Sequence, residues 1–149
     1  MALSAVDRRV RLDIYERLAA SGEAPSVAAS AQRLDLSPET VAGSRHVLAE
    51  AHGLVTDEGT AEVSMAHPFG NRPSAYEVTG GDRSWWAPCA WDALSIGPLV
   101  GVDTTVRALC ADCDDRITIE VRADGPDPGD DLVHLTVPPS KFWDDIGFT

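Results

Sequence analysis

Val6, Val10, Ile14 and Leu18 recur every four residues, with Arg8, Arg9, Asp13 and Glu16 between them, which is the period of an amphipathic helix. Ser21-Gly22 ends that helix, because glycine takes the left-handed C-cap position at little steric cost. A second helix is predicted after Ser26, carrying Val27, Ala31 and Leu34. Ser37 then serves as N-cap and Pro38 as the first helical residue of a third helix that runs to about His52. Gly53 to Thr56 and Thr60 to Ser64 follow as short strands around Asp57-Glu58-Gly59, a hairpin signal. Three helices and a hairpin in this order make a winged helix-turn-helix lobe, residues 1–65.

Beyond Met65 the chain becomes a series of short β-rich runs broken by glycine and proline. Strands are predicted at Ser74 to Val78 and Arg83 to Trp86, flanking Gly80-Gly81, then at Val102 to Leu109, Ile117 to Val121 and Leu132 to Val137. Between them Pro88 opens a short helix that closes at Gly97-Pro98, and Asp124 to Asp131 reads as a solvated loop. Pro138-Pro139-Ser140 caps a turn holding Phe142 and Trp143. The fold class is therefore α+β, an N-terminal winged helix-turn-helix lobe followed by a small mixed-sheet lobe, residues 66–149.

Composition narrows the function. With 149 residues, 44% hydrophobic and 24% charged, the chain has the make-up of a soluble globular protein. No apolar run approaches the roughly 18–20 residues a bilayer span needs, and the N-terminus lacks the basic-then-apolar order of a signal peptide; a cytoplasmic location is expected. A net charge of -12 repels phosphate backbones. The third helix offers only Arg45 and His46 as donors with reach, against Glu39 and Glu50. The lobe is thus expected to be structural, and a winged-helix transcription regulator is the alternative it leaves open.

Three cysteines, an odd number, point to thiol chemistry or metal binding rather than to a disulfide framework. Cys89 and Asp92 stand three positions apart, so on a helix both face one small ligand. Cys89 is expected in the first turn after Pro88, where free amides and the helix dipole favour thiolate. The alternative is a small buried hydrophobe beside a surface carboxylate. Cys110-Ala111-Asp112-Cys113 is half a zinc site at most, since zinc usually takes four ligands. It reads either as a metal-binding pair, within the fold or across a dimer, or as a turn with adjacent thiols. His52, His67 and His134 look isolated. Trp85, Trp86, Trp91, Phe142 and Trp143 either wall off a site or pack a core.

Ala66-His67-Pro68-Phe69, Tyr76-Glu77-Val78 and Ser84-Trp85-Trp86-Ala87-Pro88-Cys89-Ala90-Trp91-Asp92-Ala93-Leu94 together resemble the alkylmercury lyase family. The resemblance extends to Asp103-Thr104-Thr105 and Phe142-Trp143-Asp144-Asp145-Ile146, and a winged-helix lobe in front suits that family. It implies protonolytic cleavage of a carbon–mercury bond to hydrocarbon and mercuric ion, with no organic cofactor, mercury being the substrate's own metal. Cys89 would bind the soft metal and Asp92 would supply the proton. The partners implied are a small organometallic substrate and small-molecule thiols. Enzymes of the family use a second cysteine that shares the metal, just after a stretch resembling Phe142 to Thr149. The sequence reaches Thr149 without it: either the sequence is cut immediately before that thiol, or the protein lacks it and is a homologue that holds a soft metal or organometal, as sensor or carrier. Cys110 and Cys113 could replace that thiol only if their turn approached Cys89.

Overall fold

The computed structural model describes residues 2–110, 112–126 and 132–146. Helix α1 (Ala5–Ser21) starts at Ser4, whose hydroxyl accepts the Asp7 amide while the Asp7 carboxylate accepts the Ser4 amide. This reciprocal box satisfies two end amides at once. Helices α2 (Val27–Leu34) and α3 (Pro38–Glu50) are capped by Ser26 and Ser37, as expected. Val10, Ile14 and Leu18 are fully buried, so the four-residue stripe is the face that packs against the rest of the core.

Strands β1 (Val55–Thr56) and β2 (Val63–Ala66) form the expected hairpin. They also begin a sheet that continues through the chain: β3 (Phe69–Gly70), β4 (Tyr76–Gly80), β5 (Arg83–Ala87), β6 (Thr104–Leu109), β7 (Arg116–Arg122) and β8 (Gly125–Pro126). The spatial order is β1-β2-β3-β5-β4-β6-β7-β8, and every pairing is antiparallel. The fold is α+β with a helical N-terminal lobe, and its sheet is antiparallel where a mixed one was expected, because tight turns rather than crossovers join most neighbouring strands. The expected boundary between residues 65 and 66 falls inside β2.

Two other expectations change. Leu132 to Val137 is irregular rather than a strand, and Leu132 is 93% exposed. The chain turns back after β7, so Gly125 and Pro126 already occupy the edge opposite Arg122 and Val121. Of the loop expected at Asp124 to Asp131, Asp124 lies in that turn, Gly125–Pro126 pair, and 127–131 lie outside the described residues. Helix α4 (Ala90–Val100) also continues past Pro98 to a left-handed Gly101 cap. A proline near a helix end forfeits only one intrahelical hydrogen bond, and Gly97 before it lets the helix lie against β6. An added Cβ at Gly97 would meet the Thr104 hydroxyl at 2.5 Å.

The helical lobe is tied to the sheet by specific bonds. The Trp85 indole donates to the Leu18 carbonyl at 2.9 Å, and Arg83 lies over that ring while donating to Ala19. Gly22 closes α1 at φ +74°, and a side chain there would overlap the Ser84 carbonyl. Arg45, expected on α3 as a donor with reach, is not available to a partner. Its side chain is fully buried and donates to Pro25 O at 2.8 Å, Ser30 Oγ at 3.0 Å, Ala61 O at 3.0 Å and Glu62 at 3.2 Å. Ser30 in turn donates to Asp13, which also takes Arg33. The charge is spent joining α1, α2, α3 and the hairpin. Removing one member of such a buried network strands the others, so Arg45→Ala is expected to cost about 3–5 kcal/mol in denaturant unfolding. A loss below about 1 kcal/mol would contradict the assignment.

Candidate active site

Pro88 and Cys89 lead from the end of β5 into α4. Cys89 has extended backbone (φ -147°, ψ 174°) and is the N-cap, one position before the first turn where it was expected. A residue three positions beyond an N-cap returns to it, because its amide is one of the helix's unpaired donors. Asp92 therefore gives its amide to the Cys89 sulfur at 3.5 Å while its carboxylate Oδ2 accepts the Cys89 thiol at 3.2 Å. The same Oδ2 lies 3.2 Å from His67 Nδ1. One carboxylate oxygen thus joins a thiol and an imidazole. The other ring nitrogen of His67, Nε2, is buried with no partner among the described residues.

The resting thiol is the reverse of the reactive thiolate that helix position suggests. Burial, together with the adjoining Asp92 charge and its hydrogen bond, pushes Cys89 up to about 11, although the Asp92 and Trp91 amides pull the other way. Desolvation penalises the charged form more than a helix end repays. Cys89 is therefore expected to react slowly with iodoacetamide at neutral pH, its rate rising into strongly alkaline solution. Asp92→Asn removes the repelling charge and should raise the neutral-pH rate about tenfold. Peptide mapping of alkylated Cys89 reads this directly, and an unchanged or slower rate would contradict the proposed origin of the shift.

Cys89 and Asp92 open into a cavity of about 320 Å³ with Met65, Pro88, Trp91, Phe142 and Ile146 among its walls. This lies at the lower end of small-ligand pockets, which run to roughly 300–1,000 Å³. The described part of the C-terminal segment folds over it as a 3₁₀ helix, Pro139–Asp144. Trp143 there stacks on His52 with centroids 4.2 Å apart and meets His67 edge-on at 5.8 Å. His52 holds its ring in place from a left-handed backbone position, φ +57°, directly after α3, a conformation costing a non-glycine residue roughly 1–2 kcal/mol. The helical lobe, through His52 and Met65, thus supplies part of the cavity wall.

Several expectations for individual residues change accordingly. His67 and His52 are not isolated, since both enter the cavity, and only contacts distant in sequence could have shown it. The aromatic group divides: Trp91, Phe142 and Trp143 line the cavity, whereas Trp85 is core. Cys110 and Cys113 lie beyond the end of β6, in the turn to β7, and neither lines the cavity, so they do not stand beside Cys89 as a substitute thiol. Among the described residues no three or more of His, Cys, Asp and Glu gather as a metal site, and no helix is long and apolar enough to cross a membrane.

A family model described as alkylmercury lyase matches residues 69–149, just over half of the chain and including the Cys89–Asp92 pair. The chain belongs to the alkylmercury lyase family. Among similar solved structures is one described as the mercury-bound form of MerB2, with a TM-score of 0.61 and 19% identity. The match covers 79% of this chain and 56% of that one, so the chain spans little more than half of that structure's length. At this identity the likeness shows the fold. No curated protein matches.

Proposed function

We propose that the chain cleaves the carbon–mercury bond of small organomercurials by protonolysis. The observation that carries this reading is the 3.2 Å contact between the Cys89 thiol and Asp92 Oδ2, at the floor of an apolar-walled cavity. An alkyl- or arylmercury ion fits both halves of that site. Its soft metal seeks sulfur, and its hydrocarbon group suits Trp91, Phe142, Trp143 and Ile146.

The raised pKa of Cys89 sets the order of events. Mercury bonds to the sulfur as the thiol proton passes along its hydrogen bond to Asp92, which is already the acceptor. The displaced ligand of the metal leaves as an anion. Asp92, now protonated and next to the bound substrate, returns the proton to carbon as the carbon–mercury bond breaks; hydrocarbon departs, and mercury stays on Cys89. The proton that leaves the thiol is the proton gained by the product, so no further acid enters the step. Small-molecule thiols then remove the mercuric ion, and Cys89 is reprotonated. His67 is a positioning residue in this scheme, holding Asp92 Oδ2 toward the sulfur. His67→Gln is expected to slow hydrocarbon release about tenfold and to move its pH profile, with organomercurial capture unchanged. Equal losses in capture and release, with lowered thermal stability, would make the role merely structural.

The helical lobe, residues 1–65 in winged helix-turn-helix order, serves this site as a wall rather than as a reader of DNA. The burial of Arg45 and the entry of His52 and Met65 into the cavity support that role. The direct test incubates the protein with phenylmercury and excess small thiol and measures benzene. Release that disappears in Cys89→Ser is expected. Retention of intact phenylmercury by the wild type would show instead a holder of organometals.

A further inference from the structure

We infer that Cys110 and Cys113 form a second, surface-exposed binding site for a two-coordinate soft cation, of which mercuric ion is the example that the proposed reaction releases. The two cysteines stand in the turn between β6 and β7, which its own backbone closes. The Cys110 amide donates to the Asp115 carbonyl at 2.8 Å, and the Asp114 amide donates back to the Cys110 carbonyl at 3.0 Å. Asp114 takes a left-handed position at φ +58°, immediately after Cys113. This winding turns successive amides toward the sulfurs: Cys110 accepts from the amides of Asp112 and Cys113, and Cys113 from that of Asp115. The two thiol groups also hydrogen-bond to each other. Amides two and three residues ahead of a cysteine, aimed at its sulfur, are a nest for negative charge, the arrangement in which a Cys-x-x-Cys turn holds a metal.

The donor count then selects the ion. Zinc takes four ligands, and among the described residues no third His, Cys, Asp or Glu completes a site here. A linear soft ion needs only two thiolates, and thiolate is the ligand such ions prefer. Cys113 is exposed and Cys110 half-buried, so the pair is open to exchange with dissolved thiols. The Cys113 thiol faces both Cys110 and the Asp115 carboxylate, and the turn lies open at the surface, in contrast to Cys89 in its cavity. The exchange balances: a mercuric ion carried by two small thiolates passes to the two cysteines, and the two thiol protons leave on the released small thiols.

The proposal is independent of carbon–mercury cleavage, and its test is made without Cys89. Full-length Cys89→Ser protein is mixed with mercuric chloride and excess small thiol and weighed by native mass spectrometry, with sulfur-to-mercury charge-transfer absorption as a second readout. One mercury per chain is expected. Adding either Cys110→Ser or Cys113→Ser should weaken retention about 100-fold, because the chelate becomes a single contact. Two outcomes would overturn the proposal: no mercury retained by Cys89→Ser against the competing thiol, or zinc displacing mercury at half an equivalent per chain, which would make the turn half of a four-thiolate site between two copies. Neither outcome touches benzene release by the wild type, so this proposal and the lyase reading can fail separately.

Discussion

Asp92→Asn is expected to leave organomercurial capture intact while lowering hydrocarbon release about 100-fold to 10,000-fold, the range for loss of a positioned proton donor. The amide keeps the carboxylate's shape and can still accept from Cys89, but it carries no proton that it can give to carbon. Capture survives by a second route: without the charge that helps to hold the Cys89 thiol near 11, the thiol loses its proton to solvent instead of to Asp92. The variant should therefore accumulate one intact organomercurial per chain, visible by mass, where the wild type accumulates bare mercury. Release at the wild-type rate would remove Asp92 from the chemistry.

Cys89→Ser carries the second large effect. Serine is among the best N-cap residues, so the exchange of sulfur for oxygen at the head of α4 should cost the fold little. What it removes is the soft ligand, and a hydroxyl does not compete with dissolved thiols for mercury. Hydrocarbon release should fall about a thousandfold or more, with capture in the cavity lost as well, since the two residues act as a unit. Unchanged release with an unchanged unfolding curve would show that the metal binds elsewhere.

The parts of the fold carried by local signals could be read from sequence. Ser26, Ser37 and Pro38 mark helix starts because caps act within one turn, and the stripe from Val10 to Leu18 marks a buried face because its period is that of the helix. The pairing of Cys89 with Asp92 could be read for the same reason, lying within three residues. Other features depend on contacts far apart in the chain. Nothing near Arg45 indicates that Pro25, Ala61 and Glu62 surround it, and an arginine in a third helix then reads as an available donor. His67 meets Asp92 across 25 residues, and Leu132 to Val137 lost its expected strand because Gly125–Pro126 had already taken the neighbouring edge. Helix position points to a Cys89 thiolate and the structure to a thiol, because a helix end is legible in sequence and the depth of a cavity is not.

In the proposed reaction one proton moves from Cys89 through Asp92 to carbon while mercury remains on sulfur. A single turnover of phenylmercury by the wild-type chain in deuterium oxide, with benzene and protein weighed separately, tests it most directly. Benzene carrying one deuterium is expected, with one mercury atom left on the chain and removable by excess thiol. Protein carrying intact phenylmercury, with no benzene formed, would contradict it.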